Sequence, residues 1–241
     1  MPTFQHGSTR LHYEVTGDGP PLLLLAPGGM RSSIPFWQRA PFHPVLAFSD
    51  RFRVIAMDQR NAGQSSGEIS ADHGWHTYAE DQLALLDHLR IARCTVFGGC
   101  VGGAFALKLA ELASERVSAL VLQQPIGFDG RNRSVFYELF ASWQAELASS
   151  GRALDEPALK RFKHALYDGD FVFSVTPESV RRCRSPMLVL RGNDVYHPAR
   201  ISEQIARLAP NAELIRTWRE GEHTRRAVAR VRTFLTAHAA R

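Results

Sequence analysis

At 241 residues, with 44% hydrophobic and 22% charged side chains, the chain has the size and apolar content of one large globular domain with a full core. Its longest apolar run, Leu22 to Ala26, is far too short to cross a bilayer, and Met1 to Arg10 has no charged start leading into an apolar segment. A cytoplasmic protein without a membrane partner is therefore expected. The formal charge of +5 collects near the C-terminus, where Arg216, Arg219, Arg225, Arg226, Arg230 and Arg232 face only Glu220 and Glu222; a solvated helix face accounts for it, and no nucleic-acid partner is expected.

In chain order, short apolar runs alternate with longer helical patterns. The strand candidates are 11–15, 22–26, 53–58, 95–98, 119–123, 187–191 and 212–217, rich in the Val, Ile and Leu of strands covered on both faces. Residues 77–89, 101–112, 201–208 and 224–239 carry apolar side chains at spacings of three and four, as helices lying on a sheet do. This alternation predicts an α/β fold, a mostly parallel central sheet flanked by helices. From 126 to 184 the alternation stops and aromatics gather: Phe136, Tyr137, Phe140, Trp143, Phe162, Tyr167, Phe171 and Phe173. The segment reads as a helical cap or lid inserted within a single domain, 1–241, and most of these rings are expected to pack it onto the sheet.

Cys94, Cys100 and Cys183 lack the paired spacing of a zinc site and the density of a disulfide framework, so reduced thiols are expected, with no metal and no cofactor. Cys100 stands in the most informative segment, Thr95-Val96-Phe97-Gly98-Gly99-Cys100-Val101-Gly102-Gly103, a strand that enters a glycine-rich turn and then a helix. A dinucleotide-binding turn would need glycine at 100 and an acid at the end of the next strand, which closes on Gln123-Gln124 instead. The alternative is a nucleophile elbow, Gly-x-nucleophile-x-Gly, fitted by Gly98, Cys100 and Gly102. A helix N-terminus favours thiolate over thiol, which makes a cysteine chemically suitable there.

With this elbow the sequence resembles the α/β-hydrolase superfamily, and the resemblance runs over nearly the whole chain. Ala26-Pro27-Gly28-Gly29-Met30 looks like the family's oxyanion loop, and Asp58-Gln59-Arg60-Asn61-Ala62-Gly63-Gln64-Ser65 is similar to its Asp-x-Arg-Gly-x-Gly-x-Ser segment, with Asn61 departing from glycine. Leu190-Arg191-Gly192-Asn193-Asp194, followed by Pro198, matches the loop that presents the catalytic acid, and Gly221-Glu222-His223 stands where the family places its base. The resemblance therefore implies a Cys100, His223, Asp194 triad, with backbone N–H groups of Gly29 and Val101 as the oxyanion hole. His197 is set aside as too near Asp194 in the loop, and His238 as lying deep in the terminal helix. The departure from serine has precedent in dienelactone hydrolases and some thioesterases of the superfamily.

What the resemblance implies is a hydrolase cleaving a carboxylic ester, lactone or thioester of a small, largely apolar molecule through an acyl-enzyme on Cys100. An acyltransferase or thioesterase of a biosynthetic pathway and a non-catalytic small-molecule-binding protein of the same fold stay open as alternatives. The expected partner is a small-molecule substrate; a homodimer is left open. Arg31, next to the oxyanion loop, could meet a substrate carboxylate or face solvent, and sequence alone does not choose between them.

Overall fold

The computed structural model describes residues 2–151 and 155–240; residues 152–154 of the predicted insertion and both terminal residues of the predicted domain lie outside the described residues. Its sheet has eight strands, β1 (Thr3–His6), β2 (Thr9–Thr16), β3 (Pro21–Leu25), β4 (Arg53–Met57), β5 (Cys94–Gly99), β6 (Val117–Gln123), β7 (Met187–Leu190) and β8 (Ala212–Ile215). They lie in the order β1-β2-β4-β3-β5-β6-β7-β8, with β1 and β2 antiparallel to their neighbours and all pairs from β4 to β8 parallel. Seven of the eight strands coincide with the apolar runs. The one the sequence does not announce is β1, whose residues alternate between exposed and half-buried and so carry no apolar run.

Period-two alternation divides each central strand between two cores. Leu23, Leu25, Val96, Leu120, Leu122 and Val189 point to one face, against α2 (Trp75–His88), α3 (Val101–Leu112) and α7 (Ala199–Leu208). Leu22, Leu24, Phe97, Val121, Leu188 and Leu190 point to the other, where α1 (Pro44–Phe48) and α8 (Gly221–Ala237) contribute Phe48, Val231, Phe234 and Leu235. Between β6 and β7 stand α4 (Arg133–Ser149), α5 (Glu156–Tyr167) and α6 (Pro177–Arg182), the helical insertion. Most of its aromatics pack against one another: Phe140 lies 5.2 Å from Trp143 and 5.9 Å from Phe162, ring centre to ring centre, all three buried. No helix among the described residues is long and apolar enough to cross a membrane.

The sheet order also positions the site. The chain leaves β3 outward to β4 and returns to β5 on the other side of β3, and at such a reversal the loops after two adjacent parallel strands diverge to open a crevice. Those loops are the glycine turn after β3 and the elbow after β5.

Candidate functional site: a cysteine elbow and a two-residue relay

Cys100 occupies a backbone conformation that L-residues avoid, φ 57° and ψ −117°. The surroundings hold it there: its N–H donates to the Gln123 carbonyl at 2.9 Å, and its carbonyl accepts from Gly103 at 3.0 Å and Ile126 at 3.3 Å. The flanking glycines are required by space. A β-carbon on Gly98 would lie 2.1 Å from the Gly102 carbonyl oxygen, and one on Gly102 would lie 1.9 Å from that of Leu25. The elbow thus seats α3 directly on the sheet with the cysteine side chain raised into a cavity of about 390 Å³, a volume suited to a small ligand.

The glycine turn after β3, the expected oxyanion loop, is fixed by Asp58 and its neighbours. Ser32 Oγ donates to the Ala26 carbonyl at 2.6 Å, the Gln59 N–H donates to Ser32 O at 2.9 Å, and the Asp58 carboxylate accepts from the N–H groups of Ile34 at 2.8 Å and Gln64 at 2.7 Å. The 58–65 segment is a brace for this turn. Asn61 is accommodated at the family's glycine position because it takes φ 61°, a left-handed conformation that asparagine tolerates better than most residues.

The structure does not bring His223 to the cavity that holds Cys100. His223 lies on the exposed first turn of α8 and does not line the cavity. His197, set aside from sequence for its closeness to Asp194, lines the cavity with Cys100 and is 8% exposed. That closeness is what brings acid and imidazole together. The Asp194 carboxylate accepts from the backbone N–H groups of Tyr196 at 3.0 Å and His197 at 2.9 Å, closing a tight turn that folds the His197 ring back so that Nδ1 lies 2.7 Å from Oδ1 and 2.9 Å from Oδ2. Gly192 allows this return, since a β-carbon there would lie 2.3 Å from the His197 carbonyl oxygen. The sequence signal was present as Asp-x-x-His-Pro, an aspartate that can close a turn on a histidine three residues on.

With Nδ1 engaged by Asp194, the buried Nε2 of His197 is the ring nitrogen left for Cys100. Burial alone would push the imidazole toward neutrality, but the negative charge of Cys100 and the hydrogen bond to Asp194 outweigh it and raise its pKa from 6.5 to about 9. Burial likewise opposes ionisation of Cys100, yet its pKa falls below the ordinary value of 9.0 through the His197 charge and hydrogen bond and the backbone N–H groups of Gly28 and Val101. Burial opposes ionisation of Asp194 as well, and hydrogen bonds from His197 and the turn bring it down to about 2. Both shifts act in favour of a thiolate paired with an imidazolium. Of the expected oxyanion donors, Val101 acts on the sulfur together with Gly28, and Gly29 lines the cavity beside them.

The rest of the cavity wall is Phe36, Arg39, Ile126, Phe136, Leu139, Tyr167 and Tyr196, so the insertion supplies part of it through α4 and α5. Arg31 also reaches the cavity, but its guanidinium is held in a fork by Glu146 of α4, at 2.6 Å for Nε and 2.6 Å for Nη2, and by Ser142 at 2.8 Å. Among the described residues no group of three or more His, Cys, Asp or Glu side chains is placed to hold a metal ion.

The family model described as "alpha/beta hydrolase fold" matches residues 21–196, and the chain belongs to that family. Among curated relatives, a putative carbamate hydrolase RutD from Variovorax paradoxus is 36% identical over 114 residues, covering 46% of this chain and 41% of the relative. The chain thus spans less than half the length of that relative. A protein of the same name from Stutzerimonas stutzeri is 26% identical over 235 residues, covering 85% and 86%. Among solved structures, a meta-cleavage product hydrolase from Pseudomonas fluorescens IP01 superposes with a TM-score of 0.74 at 20% identity, with 98% of each chain covered. This last likeness is one of fold.

Proposed function

We propose that the chain is a hydrolase that cleaves a carboxylic ester, lactone or thioester of a small, largely apolar molecule through an acyl-enzyme on Cys100, with His197 as acid and base and Asp194 as its orienting carboxylate. The observation that carries this reading is the strained Cys100 facing a histidine whose other nitrogen is bound to a carboxylate. The Cys100 thiolate attacks the carbonyl carbon, forming the C–S bond as the C=O π pair moves onto oxygen, where N–H groups of the Gly28–Gly29 turn and Val101 receive the charge. Collapse breaks the bond to the leaving group, which takes the Nε2 proton of His197. The neutral imidazole then accepts a proton from water as that water attacks the thioester, and expulsion of the Cys100 thiolate restores the resting ion pair. Asp194 holds the imidazole in the tautomer both steps use. A thiolate is a better leaving group than an amine, so aryl esters, enol lactones and thioesters are favoured over amides.

The test is intact-protein mass spectrometry during incubation with aryl esters, lactones and acyl thioesters. The wild-type protein is expected to gain a transient acyl mass on Cys100, and Cys100→Ala to gain none and lose at least about 10⁴-fold in turnover. An adduct that persists in Cys100→Ala, or no adduct and no turnover across the whole panel, would overturn the reading. The names of the relatives supply a second reading, hydrolysis of a carbamate, which release of ammonia from carbamate substrates in a Cys100-dependent manner would establish.

A further inference from the structure

The cavity around Cys100 is rich in hydrogen-bond donors and poor in acceptors. No carboxylate and no side-chain amide lines it, whereas two arginines do. Arg31 is paired with Glu146, and His197 with Asp194. Arg39 is different. It has no acidic partner among the described residues; its guanidinium sits over the Phe36 ring, 5.0 Å from the centroid. Phe36 in turn packs against the glycine turn after β3, so closely that a β-carbon on Gly28 would lie 2.9 Å from its ring. The ring therefore anchors an exposed, unneutralised guanidinium on the wall of the cavity that holds Cys100.

Tyr167, at the end of α5, adds a second donor to the same cavity. The residue is 1% exposed, lines the cavity, and its hydroxyl has no hydrogen-bond partner among the described residues. Its ring is set by Phe136, stacked at 5.5 Å, and by Phe173, edge-on at 5.6 Å, while Trp75 Nε1 donates to the carbonyl of the preceding Leu166 at 2.9 Å. Burial and the nearby Cys100 charge both push its ionisation upward, so it keeps its proton and can only be useful to a ligand as a donor or as a neutral acceptor.

A largely apolar pocket lined by an unpaired arginine and by a buried, unpartnered phenol is complementary to an apolar molecule that carries acceptor oxygens and one negative charge. We infer that the substrate is an acid: an ester, lactone or thioester bearing a free carboxylate that Arg39 binds, with Tyr167 donating to a further substrate oxygen. This inference rests on the Cys100 acyl-enzyme reading for its reaction and adds the substrate class.

The experiment uses 4-nitrophenyl hydrogen adipate and its methyl ester, a pair that differs in the charge of the distal carboxyl and whose chain is too long for that carboxyl to attack the aryl ester readily. Wild-type protein is expected to prefer the acid by about tenfold or more in kcat/KM, and that ratio is expected to shrink with added salt as an exposed charge pair is screened. Arg39→Gln is expected to reduce the ratio toward one, chiefly through KM for the acid, and Arg39→Lys to restore part of it. Tyr167→Phe is expected to lower kcat/KM for both esters. Equal rates on the two esters with an intact Cys100-dependent adduct, or a preference that survives Arg39→Gln, would overturn the substrate class while leaving the acyl-enzyme reading standing. Calorimetric titration of the Cys100→Ala protein with adipate and with dimethyl adipate tests the charge requirement without turnover: binding of adipate that weakens in Cys100→Ala/Arg39→Gln supports it, and binding of the two alike, or of neither, overturns it.

Discussion

Two loops of this molecule look alike in sequence. The loop after β7 carries His197 just ahead of α7, and the loop after β8 carries His223 at the start of α8. Both belong to the carboxyl edge of the sheet, where loops gather around the site. Their fates differ because of one neighbour. Asp194 closes a turn on His197, pins Nδ1, and leaves Nε2 directed inward, whereas His223 follows Glu220 and Gly221, both at positive φ, onto an exposed helical turn with no carboxylate bound to its ring. Of the two rings, the one that lines the cavity is the one whose backbone turn gives it a carboxylate.

The comparison is broken most sharply by removing the inner ring. His197→Ala is expected to lower kcat for a Cys100-dependent ester by about 10³- to 10⁴-fold, and a variant that kept wild-type turnover would return the role to another residue. Asp194→Asn comes next, with a loss on the order of 10²-fold or more and a change in pH profile. In the wild-type protein His197 keeps its proton up to about pH 9, so kcat/KM is expected to fall as pH rises through that value, when the acid that protonates the leaving group is lost. Replacing the carboxylate removes a stabiliser of the imidazolium, and the alkaline limb should move to lower pH; a limb that stays in place would show that the ring titrates without help from Asp194. The smallest effect belongs to the outer ring: His223→Ala is expected to change kcat/KM by no more than about twofold, in line with an exposed residue outside the cavity.

The sheet was legible because buried parallel strands advertise themselves as runs of Val, Ile and Leu, and β3 to β7 need no more than that. β1 escaped because an edge strand with one half-buried face carries no such run. At the site, the elbow at Cys100 was legible through glycine spacing, Gly98 and Gly102 being demanded by contacts of 2.1 and 1.9 Å that no other residue could meet, and Asp194 was named through the family resemblance. His197 was not, because linear order favours a histidine after β8, and the reason to prefer the earlier one is a side chain returning on its own backbone, which spacing does not encode. Arg39 and Tyr167 carry no motif; they become neighbours of Cys100 only when the 3₁₀ segment Ile34–Arg39 and the end of α5 converge on the cavity.

The fork between Arg31 and Glu146 joins the turn Gly29–Arg31 to α4 across a sequence separation of 115 residues. One end of that link is continuous with the N–H groups of the glycine turn, and the other with the helix that provides Phe136 and Leu139. The turn and the wall of the cavity therefore share one anchor: a movement of α4 away from the turn must break the fork, and an engineer who reshapes this wall will have to re-anchor the turn.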